Sequence, residues 1–290
     1  MKIINLRGRL ALDVSTDGQP IAVDVAKASA GRFGPDPQSV YAVWDEFADW
    51  AASLETKDVE PFEAAELGAP VPRPAQVFAI GLNYREHALE GGMGIPERPM
   101  VFTKFPAAIT GPVGTVGLPP GDNDWEIELV AVIGRRADHV PADQAWSHIA
   151  GLTVGQDLSE RRSQVAGPAP AQYSLAKSFR GFAPIGPAVV TPDEFPDPDN
   201  LAVKCTLNGE TVQDGRTGDM IFGIAELVAH LSAVLTLLPG DLIFTGTPSG
   251  IGAVRQPPRF LLAGDVLVSS IDGIGRMRHE FTDATTKEHH

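Results

Sequence analysis

The chain has 290 residues, of which 43% are hydrophobic and 21% are charged; these values are close to those of ordinary globular proteins and exclude a disordered or fibrous chain. Asp and Glu total 37 against 23 Lys and Arg, for a formal net charge of -14. The surface therefore repels phosphate backbones and acidic membranes, and nucleic acid is not an expected partner.

The sequence shows no feature of a secreted or membrane protein. No apolar stretch reaches membrane-spanning length without charge or proline, and residues 1–12 lack the continuous apolar core of a secretory signal. We therefore expect a cytoplasmic protein. The single cysteine, Cys205, lies in an alternating, strand-like run and is expected to be a buried, unreactive thiol. Residues 286–290 end in two histidines and resemble a partial purification tag, so they are excluded from the site.

Residues 1–72 are predicted to form a small N-terminal α+β domain. Short strands are expected up to about residue 24, with the turn Thr16-Asp17-Gly18-Gln19-Pro20 between two of them. A helix should follow, because apolar residues recur there at three- and four-residue spacing: Val40, Val43, Trp44, Phe47, Ala51 and Leu54. The proline-bearing segment at residues 68–74 is a stiff connector and marks the domain boundary.

Residues 73–285 are predicted to form a strand-rich domain. Strands are expected at residues 77–81, 99–103, 124–134, 185–190, 201–207, 242–246 and 266–271. The clearest helix is expected at residues 220–238, with Asp219 as its N-cap. Frequent Gly and Pro turns without regular βα alternation favour a mixed, β-rich α+β fold over a doubly wound sheet.

Two glutamates two residues apart, Glu126 and Glu128, lie in the apolar run at residues 124–134. Because alternate residues of a strand project from the same face, both carboxylates must point the same way. Like charges this close raise each other's pKa unless a cation lies between them. Oxygen ligands favour Mg²⁺ or Ca²⁺, whereas zinc would require His or Cys nearby. The alternative is an exposed edge strand with two solvated glutamates.

A third carboxylate, Asp157, lies in the polar segment at residues 155–164. Three carboxylates completed by water would suit an oxygen shell with open positions for a substrate. A helix cap or a turn residue is the alternative interpretation of Asp157.

His87 and Glu90 lie three residues apart, on one face of a predicted helical turn, and glycines that permit hinge motion follow them. A carboxylate beside an imidazole orients the ring and raises its basicity, as a water-activating general base requires. An ordinary surface His/Glu pair is the alternative.

Two further segments carry polar groups suited to a site. Lys177, in an apolar setting with serine neighbours, could stabilise a developing oxyanion, although a lysine with its head group in water is the alternative. The turn at residues 245–252, rich in Gly and Thr, could hold a carboxylate with its N–H groups and hydroxyls. It lacks the ending of a P-loop, so phosphate binding is only weakly supported.

Taken in order, these segments resemble the fumarylacetoacetate hydrolase family over roughly residues 73–282. The resemblance is carried by residues 84–90, 125–129, Asp157 with Arg161 and Gln164, and residues 177–187, 220–222, 239–241 and 245–252. It implies a mixed β-roll catalytic domain, usually a homodimer, that holds Mg²⁺, or alternatively Mn²⁺ or Ca²⁺, with three carboxylates.

The resemblance also assigns roles to individual residues. Glu126, Glu128 and Asp157 match the metal ligands. His87 and Glu90 match the pair on the lid of the acylpyruvase-like members, and Lys177 matches the active-site lysine. The positions that contact substrate are matched by Arg161, Gln164 and Thr247. Arg180 departs from the acidic or small residue of many relatives, which leaves the substrate's identity open.

The expected reaction is hydrolysis of a carbon–carbon bond in a 2,4-dioxo acid, of the acylpyruvate or fumarylpyruvate type, through a pyruvate enolate. His87, aligned by Glu90, would deprotonate the attacking water, and Lys177 would stabilise the enolate. The alternatives are oxaloacetate decarboxylation, isomerisation or decarboxylation of 2-hydroxyhepta-2,4-diene-1,7-dioate in aromatic catabolism, a sugar-acid dehydratase, and a non-catalytic metal-binding scaffold.

Overall fold

The computed structural model describes residues 1–16, 19–92, 94–167 and 171–284. The strands of the N-terminal part are β1 (Lys2–Leu6), β2 (Arg9–Asp13), β3 (Ile21–Asp24), β4 (Glu60–Pro61) and β5 (Leu67–Gly68). Those of the middle part are β6 (Val77–Gly81), β7 (Met100–Thr103), β8 (Ile109–Thr110), β9 (Val113–Leu118), β10 (Asn123–Asp124), β11 (Ile127–Ile133), β12 (Ile149–Gln156), β13 (Ser159–Glu160) and β14 (Ala183–Val190). The last five are β15 (Ala202–Leu207), β16 (Glu210–Arg216), β17 (Leu242–Phe244), β18 (Val266–Ile271) and β19 (Gly275–Asp283).

The helices of the described residues are short. The α-helices are α1 (Val25–Ala28), α2 (Trp44–Ala52), α3 (Arg85–Glu90), α4 (Arg161–Gln164), α5 (Tyr173–Ala176) and α6 (Ile224–Ser232). Turns of 3-10 helix cover Ser39–Val43, Ala64–Glu66, Pro106–Ala108, Ala142–His148, Pro192–Glu194, Thr217–Asp219 and Gly252–Val254. None of the helices within the described ranges combines the length and the apolar character that a membrane crossing requires.

Two sheets carry the fold. The larger follows the order β4-β3-β2-β1-β14-β12-β11-β17-β6-β7, with β5 beside β1 and β8 beside β14, and the smaller follows β16-β15-β18-β19-β9. Most neighbours are antiparallel, but β17 pairs with β6 and β19 with β9 in parallel. The mixed, β-rich α+β fold expected from the sequence is confirmed.

Strand β11 is buried on both faces because apolar clusters cover each side of the large sheet. Ile127 and Leu129 belong to the cluster that includes strands of the smaller sheet and α6. Val130 and Val132 belong to the cluster that includes α2 and the N-terminal strands. The alternative of an exposed edge strand for the two glutamates is therefore wrong: β11 lies inside the sheet, between β12 and β17.

The helix predicted at residues 220–238 is shorter than expected, and Asp219 is not its N-cap. Helix α6 begins at Ile224, and its cap is Gly223, whose backbone N–H donates to the carboxylate of Glu226 at 2.9 Å. The preceding residues bind another segment instead, because Phe222 N donates to Oδ1 of Asn83 at 2.9 Å. Apolar spacing alone could not show this competing partner.

The N-terminal strands extend the same large sheet as the later ones. Strand β1 pairs antiparallel with β14, with Lys2 opposite Val190 and Ile3 opposite Val189. The predicted domain boundary after residue 72 stays a prediction. Asp17 and Gly18 of the predicted turn, Met93, and the tail at residues 286–290 lie outside the described residues.

Candidate metal centre

Three carboxylates come together at one end of β11. Glu126, Glu128 and Asp157 each place one carboxylate oxygen within 4.8 Å of the others, and all three residues are buried. Glu128 is the second residue of β11 and Glu126 immediately precedes that strand, so their side chains share a face. Asp157 directly follows β12, the neighbouring strand, and its N–H donates to the carbonyl of Glu126 at 2.9 Å. The pairing of two strands therefore assembles the cluster.

Two buried lysines balance part of this negative charge. Nζ of Lys177 lies 2.7 Å from Oε2 of Glu126 and 2.6 Å from Oδ2 of Asp157. Nζ of Lys104 lies 2.5 Å from Oδ1 of Asp157 and also donates to the backbone carbonyl of Lys177. Glu128 differs, because it accepts a hydrogen bond from the backbone N–H of Gly246 at 2.8 Å.

This arrangement separates the pKa values of the two glutamates. Burial alone would raise the pKa of Glu126, but the positive charges of Lys177 and Arg161 outweigh it and hold that pKa below its ordinary value. Burial and the negative charges of Asp157 and Glu126 raise the pKa of Glu128 well above its ordinary value. Glu128 therefore marks the point where positive charge is missing.

The residues fit a hard divalent cation. The donors are all carboxylate oxygens, as Mg²⁺, Mn²⁺ and Ca²⁺ prefer, and the pKa of Glu128 is raised by burial and by the negative charges of Asp157 and Glu126. A divalent cation would lower that pKa by favouring the ionised carboxylate.

Arg161 links the carboxylate cluster to Asp124 and Gln164. Its Nη2 lies 2.7 Å from Oε1 of Glu126 and 2.8 Å from Oδ2 of Asp124, and its Nη1 donates to Oε1 of Gln164 at 3.1 Å. Asp124 in turn accepts hydrogen bonds from the N–H groups of Gly252 and Ala253, at 2.7 and 3.0 Å. Arg161 and Gln164 are thus joined to the carboxylate cluster.

His87 and Glu90 lie on α3, as the sequence predicts. Nδ1 of His87 is 2.9 Å from Oε1 of Glu90, and the imidazole is buried. The N–H of Gly250 donates to both carboxylate oxygens of Glu90, at 3.1 and 3.0 Å. Gly250 has φ of 106°, and a Cβ atom there would collide with the carbonyl oxygen of Val212. Only glycine fits this contact.

Thr247 is held by protein groups on both sides of its hydroxyl. Its Oγ1 donates to the carbonyl of Ile127 and accepts from Nε2 of Gln213, each at 2.8 Å. Oε1 of Gln213 accepts from the N–H of Ile127 at 3.0 Å. Since its proton is already used, the Thr247 hydroxyl can offer a substrate only a lone pair.

A cavity of about 320 Å³ opens over the cluster. Its lining includes most of the predicted site residues, namely His87, Glu126, Glu128, Arg161, Gln164, Lys177 and Thr247. Glu90 is hydrogen-bonded to the lining residue His87, and Asp157 is ion-paired with the lining residue Lys177. The structure therefore brings all nine predicted site residues into one region.

Sequence reasoning missed Lys104 and Asp124. Lys104 directly follows β7 and is fully buried, but a single lysine at the end of an apolar strand gives no signal of its partner. Asp124 lies two residues before Glu126, and the same alternation that paired the glutamates could have identified it. Cys205 is buried as expected, and burial raises the pKa of its thiol to about 12.

Comparison with known proteins gives a consistent result. Residues 76–282 match the family profile described as fumarylacetoacetate (FAA) hydrolase C-terminal. The Homo sapiens protein named oxaloacetate tautomerase FAHD2A, mitochondrial, is 44% identical over 209 residues, which are 71% of this chain and 66% of that protein. The match thus spans slightly less than two thirds of that relative's length.

Solved structures match nearly the whole chain. A Mycobacterium smegmatis protein provisionally described as HpcE is 53% identical, with a TM-score of 0.91 over 98% of this chain and 100% of its own. The 2-hydroxyhepta-2,4-diene-1,7-dioate isomerase of Mycobacterium marinum is 30% identical, with a TM-score of 0.76 over 99% and 100%. The fumarylpyruvate hydrolase of Pseudomonas aeruginosa, in complex with Mn²⁺ and pyruvate, is 30% identical, with a TM-score of 0.66 over 79% and 93%.

Proposed function

Because this chain belongs to the fumarylacetoacetate hydrolase family, we propose that it is a metal-dependent hydrolase that cleaves a carbon–carbon bond in a 2,4-dioxo acid. The observation that carries the proposal is the His87–Glu90 pair, whose imidazole lines the same cavity as the carboxylate cluster. A base and a metal centre that share one cavity suit the activation of water beside a chelated oxo acid.

Glu126, Glu128 and Asp157 are the proposed ligands of Mg²⁺, with Mn²⁺ or Ca²⁺ as alternatives. When bound, the ion would polarise the 2-oxo group and neutralise charge that develops on its oxygen. The buried, all-oxygen cluster supports this assignment, as does the Mn²⁺ in the structure of the Pseudomonas aeruginosa hydrolase.

In the proposed reaction, His87 is the general base. Glu90 accepts a hydrogen bond from Nδ1, which leaves Nε2 free to take a proton from water. The resulting hydroxide adds to the carbonyl at position 4. The bond between carbons 3 and 4 then breaks to release a carboxylic acid and the enolate of pyruvate. The proton held by His87 returns to carbon 3 of the enolate and completes the turnover.

Lys177 and Arg161 are the proposed partners of the substrate's anionic groups. The Lys177 ammonium lies at the cluster, where it can stabilise the enolate oxygen. The guanidinium of Arg161 lines the cavity and can position the carboxylate of the substrate. Gln164, held by Arg161, and Thr247 are proposed to complete the contacts with the substrate.

Keto–enol tautomerisation of a 2-oxo acid is a second candidate. The name of the human relative, an oxaloacetate tautomerase, favours it, since the same base could move a proton between carbon and oxygen without cleaving a bond. Oxaloacetate decarboxylation and isomerisation of the diene dioate are further alternatives that use the same enolate.

Purified protein with Mg²⁺ should be assayed against acylpyruvates, oxaloacetate and hydroxymuconate-type acids. Equal amounts of pyruvate and carboxylic acid would support hydrolysis. A change in enol absorbance without new products would support tautomerisation instead. If the protein binds Mg²⁺ yet changes none of these acids, the non-catalytic scaffold becomes the better account.

A homodimer and a cytoplasmic location complete the proposal. The dimer follows from the family resemblance, and sedimentation velocity would test it. The compartment is open to direct test by fractionation, because the human relative's name places that protein in mitochondria.

A further inference from the structure

The cavity over the carboxylate cluster has a charged end and an apolar end. The charged end is formed by Glu126, Glu128, Arg161 and Lys177. The apolar end is formed by Leu82, Met100, Phe102 and Tyr173, which lie together because Gly81, next to Leu82, pairs with Met100 and the Phe102 ring contacts that of Tyr173. A substrate that reaches both ends must itself be polar at one end.

Phe102 marks the point where one end meets the other. Its ring centroid lies 5.0 Å from Nζ of Lys177 and 5.7 Å from the ring of Tyr173. Met100 lies two residues before Phe102 on β7, so both side chains project from the same face of that strand. Phe102, Met100 and the ring of Tyr173 therefore form a mainly apolar stretch of wall next to Lys177.

Leu82 contributes a second apolar surface, and its backbone is strained. Its φ of 55° lies in the left-handed region, which is unfavourable for a bulky side chain. Such strain is commonly found at ligand sites, where the surrounding structure imposes it. Leu82 lines the cavity in this conformation.

The charges at the other end limit the substrate further. Four buried carboxylates, of Asp124, Glu126, Glu128 and Asp157, face three cations, of Lys104, Lys177 and Arg161. Glu90, hydrogen-bonded to His87, adds a fifth carboxylate. A bound divalent ion would therefore leave no surplus of positive charge among these groups. A second substrate carboxylate would add a negative charge for which this end of the cavity holds no spare cation, and an unpaired charge is costly to bury.

The cations of the lining are already engaged. Lys177 and Arg161 are the lysine and arginine side chains among the described residues that line the cavity. Each is paired with two buried carboxylates. Neither belongs to the apolar end, where a distal carboxylate would lie.

Building on the proposed function, we infer that the substrate is a 2,4-dioxo acid with a single carboxylate, whose acyl group ends in an aliphatic or aromatic chain. Its oxo-acid end would occupy the charged part of the cavity, and its acyl chain would pack on Leu82, Met100 and Phe102. Fumarylpyruvate and oxaloacetate, which carry a second carboxylate, would be poor substrates.

The first test uses the unmodified protein with Mg²⁺ and acylpyruvates whose acyl groups are acetyl, isovaleryl and benzoyl, beside fumarylpyruvate and oxaloacetate. Each buried methylene should raise kcat/KM by about fourfold. Fumarylpyruvate should react at least about tenfold less well than benzoylpyruvate. Thermal shifts with unreactive 2-oxo acids, one series ending in alkyl groups and the other in carboxylates, should give the same order of binding.

The second test places a cation in the apolar end. Met100→Arg should shift the ratio of kcat/KM values towards fumarylpyruvate by about tenfold or more, because the new guanidinium can pair with the distal carboxylate. Val101→Arg is the matched control. Val101 is the next residue of β7, is 40% exposed and projects from the opposite face, so its replacement should leave the ratio unchanged.

The outcomes separate this inference from the proposed function. If the unmodified protein hydrolyses fumarylpyruvate as well as the apolar acylpyruvates, the inference is wrong and the hydrolase proposal stands. Equal thermal shifts by the two series of 2-oxo acids would also overturn it. If no 2,4-dioxo acid binds or reacts, the proposed function fails, and the inference fails with it.

Discussion

Nζ of Lys104 lies 2.5 Å from Oδ1 of Asp157, and both side chains are removed from solvent. The same ammonium donates to the backbone carbonyl of Lys177. Lys104 thus fixes Asp157 and also the backbone of Lys177, the lysine that contacts both Asp157 and Glu126. Its charge matters most when no metal ion is present, because the three carboxylates then depend on Lys104, Lys177 and Arg161 for positive charge.

Replacing Lys104 with Met should destabilise the metal-free protein by about 3 kcal/mol, since the buried Asp157 loses one of its two cations and only Lys177 remains beside it. Mg²⁺ should raise the Tm of the variant more than that of the unmodified protein, because the ion supplies the missing positive charge. Thermal unfolding in EDTA and in Mg²⁺ would measure both effects. Lys204→Met, at an exposed position on β15, is the control. Equal Mg²⁺ shifts in all three proteins would contradict the argument.

The two glutamates should respond in opposite ways to conversion to glutamine. In EDTA, Glu126→Gln should lower the Tm, because it breaks the ion pairs with Lys177 and Arg161. Glu128→Gln should instead raise the Tm by about 2 °C or more, since it removes repulsion from Asp157 and Glu126. Both variants should lose much of the Tm increase that Mg²⁺ produces. A loss of stability in both under EDTA would show that the two sites are equivalent.

The effect of Glu128→Gln should depend on pH in a defined direction. The pKa of Glu128 is raised in the folded protein by burial and by Asp157 and Glu126. Its ionisation therefore costs nothing below the unfolded pKa of about 4.3. The cost grows as the pH rises above that value and levels off above the folded pKa. The stabilisation by Glu128→Gln should be larger at pH 8 than at pH 5, and a difference independent of pH would refute it.

Replacing His87 with Ala should lower kcat for hydrolysis by about a hundredfold or more, because it removes the proposed general base. Mg²⁺ binding should be unchanged, since His87 is not a proposed ligand. Steady-state kinetics and metal titration would test the two statements separately. His230→Gln, on α6 away from the cavity lining, should retain full activity. Unchanged turnover in His87→Ala would exclude this base.

Asp265 should contribute to acid sensitivity outside the site. It accepts hydrogen bonds from Arg259 at 2.7 Å, Asn208 at 2.7 Å and Leu262 N at 2.8 Å. Burial opposes ionisation, but these contacts outweigh it and lower the pKa of Asp265. Their stabilisation is complete above about pH 3.9 and is lost as the pH falls through the lower, folded pKa.

In thermal unfolding, Asp265→Asn should lower the Tm at pH 7, and the deficit should shrink below about pH 4. Asp272→Asn, at an exposed position after β18, is the control and should change the Tm little at either pH. A deficit that is the same at pH 3 and pH 7 would show that ionisation of Asp265 is not involved.

Much of the fold could be predicted because strands carry a strong local signal. The run at residues 124–134 alternates its side chains between two faces, and this alone places Glu126 and Glu128 together. The meeting of Asp157 with that pair depends on how β12 aligns with β11. Local pattern does not determine that alignment, and only the family resemblance supplied it.

The remaining contacts are between residues far apart in the chain. Lys104 meets Asp157 across 53 positions, and Gln213 meets Ile127 across 86. Neither residue has an apolar or charged periodicity that would single it out. The predicted start of α6 was wrong for the same reason: the N–H of Phe222 donates to Asn83, which is 139 positions away in the chain.

The ladder between β1 and β14 has a practical consequence for anyone who dissects the chain. Lys2 and Ile3 cover backbone groups of Val190 and Val189. A fragment that starts at residue 73 would lack β1, so β14 would become an exposed edge strand. Unpaired edge strands promote aggregation. Insoluble material from such a fragment would then reflect a missing neighbour rather than a defective active site.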